Sequence, residues 1–223
     1  MTNKDTCLVV PVYNEAAVVR EVVEEALTRF EHVICVDDGS TDDSAAQVQL
    51  TNAVLVRHPV NLGQGAALQT GIEYALHDPS IQYLVTFDSD GQHRLDDAER
   101  MVEQLRRDEA DIVFGSRFLD SSTQVGGLKR VVLKLAVHYT NLTSGVHLTD
   151  AHNGLRAFNR RVAETLNIRR SGMAHASEIV ETVGKAKLRY VETPVTILYT
   201  DYSKAKGQSV LNSVNILFDL FFR

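Results

Sequence analysis

The sequence predicts an α/β fold whose mainly parallel central sheet is covered by helices on both faces. Two patterns predict it. Short apolar runs at 7–12, 32–36, 53–56, 83–87 and 112–114, most of them rich in Val and Ile, have the character of strands buried on both sides. Helical periodicity fills gaps between them: Val18, Val19, Val22, Val23, Ala26 and Leu27 recur through 16–30, and Leu95, Ala98, Val102 and Leu105 through 95–107. Alternation of this kind builds a parallel sheet, and the ligands of such sheets collect beyond the carboxyl ends of the strands.

The second half reads as a helix over 128–143, a short strand at 155–158, a helix over 174–186, and strands at 188–191 and 195–199, with Pro194 favouring an edge or strand-start position for the last. No Gly- or Pro-rich linker and no repeat divides the chain, so 1–223 is read as a single domain with halves at 1–120 and 121–223. After a basic stretch at 203–207, Val210, Leu211, Val214, Leu217, Phe218 and Phe221 form one stripe of an amphipathic C-terminal helix. It is shorter than the roughly 20 residues a membrane span requires. That stripe either completes the core or rests on a bilayer or a small membrane partner protein.

Composition narrows the function. Hydrophobic residues at 44% and charged residues at 23% are ordinary globular values, and a net charge of −6 counts against nucleic acid as a partner, because phosphate backbones are held by a marked positive excess. Cys7 and Cys35 each lie inside a strand-like run and read as small buried hydrophobes. The polar N-terminus runs straight into a strand with no signal-peptide pattern, so the expected location is cytoplasmic.

The sharpest chemical feature is Phe87-Asp88-Ser89-Asp90-Gly91-Gln92-His93, directly after an apolar run. Two carboxylates one residue apart, with Gln92 close behind, converge on a hard divalent cation whose other positions go to phosphate oxygens. Taken singly, Asp-x-Asp is a weak motif that suits an acidic turn equally well. Its company strengthens it: Pro11-Val12-Tyr13-Asn14-Glu15 ends the first strand and Asp37-Asp38-Gly39-Ser40-Thr41-Asp42 the second, so three polar clusters share one rim. There Asp37 or Asp38 is placed to accept a nucleobase N–H, with Tyr13 packing near it and Glu15 near the ribose; as ordinary connections, Asn14 and Thr41 would cap helices. The run Asn61-Leu62-Gly63-Gln64-Gly65-Ala66-Ala67 lacks the third glycine of a dinucleotide fingerprint and the Gly-Lys-Ser/Thr ending of a P-loop, which leaves its glycines a packing role.

In this order the clusters resemble family-2 glycosyltransferases of the GT-A fold, particularly polyprenol-phosphate sugar transferases of the dolichyl-phosphate mannosyltransferase type. Further marks are Gly115-Ser116-Arg117 and Thr149-Asp150 followed by Asn153-Gly154-Leu155-Arg156. The resemblance implies an inverting enzyme that moves a sugar from a UDP- or GDP-sugar to a polyprenyl phosphate, with 1–120 binding the donor and 121–223 the acceptor. It implies that Pro11, Tyr13, Glu15, Asp37 and Asp38, with Asp88 and Ser89, line the donor site, and that Asp88, Asp90 and Gln92 hold Mg²⁺ or Mn²⁺ on the donor diphosphate. A peripheral position on the inner face of the membrane goes with a lipid acceptor. The sequence departs from the pattern at Gln64, where many relatives carry Lys.

The acceptor decides the remaining roles. A lipid phosphate, with a second pKa of about 6, is largely dianionic at neutral pH and needs positioning by cations: Arg117, Arg130 with Lys129, Arg156, Lys204 and Lys206. A glycan hydroxyl instead needs a general base, for which Asp150 is the first candidate and His152 the second. The pair His175 and Glu178, three residues apart on a helix, is a further polar candidate. A nucleotide-sugar-binding module without catalysis is the alternative from another class.

Overall fold

The computed structural model describes residues 3–119, 127–170 and 174–198, with 127–133 described by backbone only. Strands β1 (Asn3–Val12), β2 (Phe30–Asp37), β3 (Val54–Arg57), β4 (Tyr83–Thr86), β5 (Ile112–Ser116), β6 (Arg156–Asn159) and β7 (Tyr190–Pro194) form one sheet in the order β3-β2-β1-β4-β6-β5-β7. All neighbours are parallel except β6, which runs antiparallel between β4 and β5. Both halves of the chain therefore contribute to one sheet.

Period-two alternation sorts the strand residues between two cores. Cys7 and Val9 of β1 face α3 (Gln64–Leu76), α5 (Gly127–Ser144), α6 (Arg160–Thr165) and α7 (Ala174–Lys185) in one apolar cluster. Leu8, Val10 and Val12 face α1 (Val19–Leu27), α2 (Ser44–Gln49) and α4 (Leu95–Arg106) in the other. Cys7 and Cys35 are fully buried, and burial pushes both thiols up, Cys35 to about 12, so both stay protonated hydrophobes as their runs predicted.

Two expectations change. The strand expected at 188–191 starts only at Tyr190, as β7, because Leu188 still donates its N–H to Val183 O at the end of α7 and Lys187 reverses the chain at φ +52°. Of the strand expected at 195–199, the described residues 195–198 belong to no strand. Pro194 does lie on an edge strand, but at its end, opposite Ser116. The first helix is shorter than 16–30, since Phe30 already belongs to β2. The basic stretch 203–207 and the apolar stripe 210–221 lie outside the described residues. No helix among the described residues is long and apolar enough to cross a membrane.

Candidate active site

Parallel pairing puts the carboxyl ends of β1, β2 and β4 on one rim, and the antiparallel β6 brings its first residue, Arg156, opposite Thr86 of β4 and Phe114 of β5 at the same end. Directly after β4, Ser89 is buried and donates its hydroxyl to the Pro11 carbonyl at 2.9 Å, which binds the acidic turn to the end of β1. Asp88 and Asp90 flank it with their carboxylates partly exposed. His93 Nε2 lies 2.9 Å from Asp88 Oδ2, and Gln64 Nε2 donates to Asp88 Oδ1 at 3.1 Å. Asp90 accepts from the backbone N–H of Gln92 at 3.0 Å and from its side-chain amide at 2.8 Å.

These surroundings split the two carboxylates. Burial works against ionisation of Asp88, yet the hydrogen bond and charge of His93, with Arg156 and His175 behind them, hold it below the usual carboxylate range. Burial first, and the Asp88 charge second, push Asp90 up to about 6; the His93 charge only partly offsets them, and among the described residues no cation is hydrogen-bonded to Asp90. We expect the Asp90 carboxyl, followed by ¹³C NMR in metal-free protein, to titrate near this value and to move down in Asp88→Asn. An unmoved midpoint would mean that the two carboxylates do not feel one another.

At the ends of β1 and β2 the loops are sewn together. Asn14 N donates to Ser40 Oγ, Glu15 N to Ser44 Oγ, Ala16 N to Asp42 Oδ2, and Thr41 N to Asn14 Oδ1. Asn14, at φ +54°, is thus a loop joint, and the caps of α1 and α2 fall elsewhere, at Val18 and Asp43. Tyr13 stands exposed beside this seam and Glu15 is buried within it. Asp37 is buried, accepting from Ser40 N and lying 3.2 Å from Arg57 Nε. Asp38 accepts from Leu62 N and Gly63 N and lies 2.7 Å from His58 Nδ1, whose other nitrogen meets Thr70. Of a carboxylate's roughly four acceptor sites these bonds occupy three, so Asp38 holds the loop that opens α3. Gly65 packs as expected: a Cβ there would meet Arg170 O at 2.3 Å.

The acceptor-side residues form a buried ion cluster. Arg117 grips Asp150 in a two-pronged pair, Nε to Oδ2 at 2.6 Å and Nη2 to Oδ1 at 2.8 Å, and its backbone N–H adds a third bond. His152 N donates a fourth at 3.3 Å. Every lone-pair site of Asp150 is occupied, and although burial opposes its charge, Arg117 holds its pKa below the ordinary range. In this arrangement its oxygens are taken up in holding Arg117 and the backbone at His152. Burial pushes the His152 imidazole down to about 4, and among the described residues neither ring nitrogen has a partner. Arg156 is almost completely buried; burial lowers it to about 10, which leaves it charged, and among the described residues only its Nη2 is bonded, to Ala151 O.

His175 and Glu178 do not pair as expected. Glu178 accepts from Arg169 N and Arg170 N, while His175 is buried towards Asp88. Lys129 and Arg130 lie on α5 with their side chains outside the described residues, and Lys204 and Lys206 lie outside the described residues altogether. Sequence reasoning gave no role to His58 or Gly154, nor to His93 as the partner of Asp88. A lone histidine after a strand carries no signal, and Gly154 is decisive only because of what lies against it.

The oxygen donors of this turn suit a hard cation. Among the described residues no three His, Cys, Asp or Glu side chains are grouped to enclose a metal; Mg²⁺ and Mn²⁺ need only one or two carboxylates when diphosphate oxygens and water complete the shell. Asp88 and Asp90, partly exposed, would supply those carboxylates, and Gln92 an amide oxygen.

The sequence profile described as glycosyl transferase family 2 matches residues 7–166. The chain belongs to this family. Across its whole length the glycosyltransferase is 30% identical to the UDP-N-acetylglucosamine–dolichyl-phosphate N-acetylglucosaminyltransferase of Methanococcus voltae, covering 96% of that protein. It is also 30% identical, over 73% of its own length and 64% of the relative's, to the polyprenol monophosphomannose synthase of Mycolicibacterium smegmatis. Its fold is the GT-A fold. Glucosyl-3-phosphoglycerate synthase of Mycobacterium tuberculosis, in a crystal structure with Mn²⁺ and UDP-glucose, superposes with a TM-score of 0.73 at 20% identity, covering 96% of this chain and 77% of that one.

Proposed function

We propose that this glycosyltransferase is an inverting, metal-dependent enzyme that transfers a sugar from a UDP- or GDP-sugar to a polyprenyl phosphate. The observation that carries the reading is the saturation of Asp150 by Arg117. The residue best placed by sequence to be a base is spent on holding a cation, which suits an acceptor that arrives already ionised. The relatives, named as a dolichyl-phosphate N-acetylglucosaminyltransferase and a polyprenol monophosphomannose synthase, support the same acceptor class.

Within this reading Pro11, Tyr13, Glu15, Asp37 and Asp38 frame the nucleotide, and Asp88, Ser89, Asp90 and Gln92 form the diphosphate end of the site. A divalent cation held by Asp88, Asp90 and Gln92 stabilises the negative charge of the departing nucleoside diphosphate. Arg117, kept in one orientation by Asp150, and Arg156 beneath it draw the lipid phosphate to the opposite side of the sugar, with Arg130, Lys204 and Lys206 completing the cationic wall. Attack from that side inverts the anomeric carbon. Residues 1–223 act as a single domain, cytoplasmic and peripheral on the inner face of the membrane where a lipid acceptor lies, alone or against a small membrane partner.

Incubating purified protein and Mg²⁺ with radiolabelled UDP- and GDP-sugars and a polyprenyl phosphate should move label into organic solvent. Label that appears only on glycan acceptors would defeat the proposal. Asp150→Asn distinguishes the roles of that residue. Because it loosens Arg117, we expect the KM for the lipid phosphate to rise about tenfold, the scale of one charge-assisted hydrogen bond, with the pH profile unchanged. A collapse of kcat with loss of the acid limb would restore Asp150 as a base.

A further inference from the structure

Beyond β7 the chain crosses the rim as a strap, 195–198, whose backbone donors meet three partners among the described residues. Val195 N donates to Ser116 O at 3.0 Å, Thr196 N to Asp97 Oδ2 at 2.9 Å, and Leu198 N to Gln92 O at 2.9 Å. Ser116 precedes Arg117, and Gln92 closes the acidic turn, so the strap ties the cation group to the metal turn. Its middle anchor is Asp97, whose side chain is only 4% exposed in the first turn of α4. A carboxylate there commonly caps its own helix, yet both Asp97 oxygens turn away from α4's backbone. Oδ2 takes the strap, and Oδ1 takes Arg100 Nη2 at 2.6 Å, the same nitrogen that reaches Pro194 O at 2.7 Å.

The acidic turn has need of such an anchor. Gly91 sits at its apex with φ +73°, and a Cβ there would meet nothing nearer than Val22 at 3.5 Å, so little packs against the turn at that point. Ser89 fixes one end of it to β1, and the Leu198 bond to the Gln92 carbonyl fixes the other.

We propose that Asp97 is a positioning residue for the metal turn: it seats the 195–198 strap, and the strap sets Gln92 and its spacing from Ser116 and Arg117. The proposal rests on the reading of Asp88, Asp90 and Gln92 as the metal end of the donor site, and assigns Asp97 no contact with substrate.

The test is the affinity of the full chain for Mn²⁺ in the presence of UDP or, in parallel, GDP, measured by loss of the free-Mn²⁺ EPR signal, with Tm recorded alongside. Asp97→Ala should weaken Mn²⁺ about 5- to 10-fold, the scale of one lost buried hydrogen bond. Asp97→Asn, which keeps an oxygen for Thr196 N, should return to within about twofold of wild type. Leu198→Pro alters an exposed residue and removes the donor to Gln92 while leaving Asp97 in place, so it should reproduce the Ala loss even if Asp97→Ala folds poorly. Wild-type affinity in Leu198→Pro, or in an Asp97→Ala protein whose Tm has fallen, would overturn the proposal and reduce Asp97 to a purely structural role; so would an Asn variant as weak as Ala. A wild-type protein that takes up no Mn²⁺ with either nucleotide is a different failure, that of the metal site itself, and it removes this inference with it.

Discussion

Asp90→Asn is expected to reduce transfer by about 10³-fold or more, the scale of removing a group that meets developing negative charge, while making the metal-free protein more stable. The two effects have one cause. Asp90 is partly buried beside Asp88, with no cation hydrogen-bonded to it among the described residues, and its pKa is raised to about 6. A carboxyl whose folded-state pKa lies above its ordinary value favours the fold while protonated and loses that contribution as pH rises through about 6. At pH 7 the wild-type fold therefore carries an uncompensated charge. Allowing for solvent screening, the penalty is on the order of 1 kcal/mol, so the neutral amide should raise Tm by about 2–4 °C in a chain of this size. Below about pH 4 both proteins hold a neutral group and the difference should vanish. Calorimetry of metal-free protein at pH 7 and pH 4, with assay of lipid-linked product, checks both halves. A variant that loses activity and stability together would mean that Asp90 supports the fold rather than a ligand.

Much of the sheet was legible because its strands are buried on both sides, so β1, β2 and β4 read as unbroken apolar runs. The helix Gln64–Leu76 was not, because Gly65 and Gly71 interrupt its pattern. A Cβ on Gly71 would meet Val9 Cγ1 at 2.4 Å, so close packing on β1 outweighed helix propensity there. The helices Ser44–Gln49 and Arg160–Thr165 have six residues each, too few for a period to show.

In the site, the acidic turn was legible because its members are neighbours in sequence. The Arg117–Asp150 pair was not, since it joins residues 33 positions apart. Residue type announced a cation and a carboxylate near the rim, but only their meeting shows that each occupies the other, which turns a candidate base into a bracket. Asp38 is a parallel case: its sequence neighbours suggested a nucleobase, and only the folded chain shows that His58, Leu62 and Gly63 take three of its roughly four acceptor sites.

Gly154→Ala should separate fold from function most sharply. The backbone at 154 is not among the left-handed glycines, so alanine needs no strained φ, and the change should cost the fold little. The new methyl, however, would stand 2.3 Å from Asp88 Oδ2 and 2.9 Å from its Cγ. Those atoms must move, and Asp88 cannot turn aside freely, because His93 holds Oδ2 and Gln64 holds Oδ1. The Gly154 segment is itself tied, its carbonyl accepting Thr86 Oγ1 at 2.6 Å. The displacement therefore falls on the carboxylate. A shift near 1 Å in a positioned group costs on the order of 10²-fold, and that loss in kcat/KM is expected here with a Tm change under about 2 °C, the size of a small surface-like perturbation. Adding Gln64→Ala to Gly154→Ala should recover part of the activity, since it frees Asp88 to settle around the methyl. Full activity in the single variant would show that the carboxylate lies elsewhere when substrate is bound.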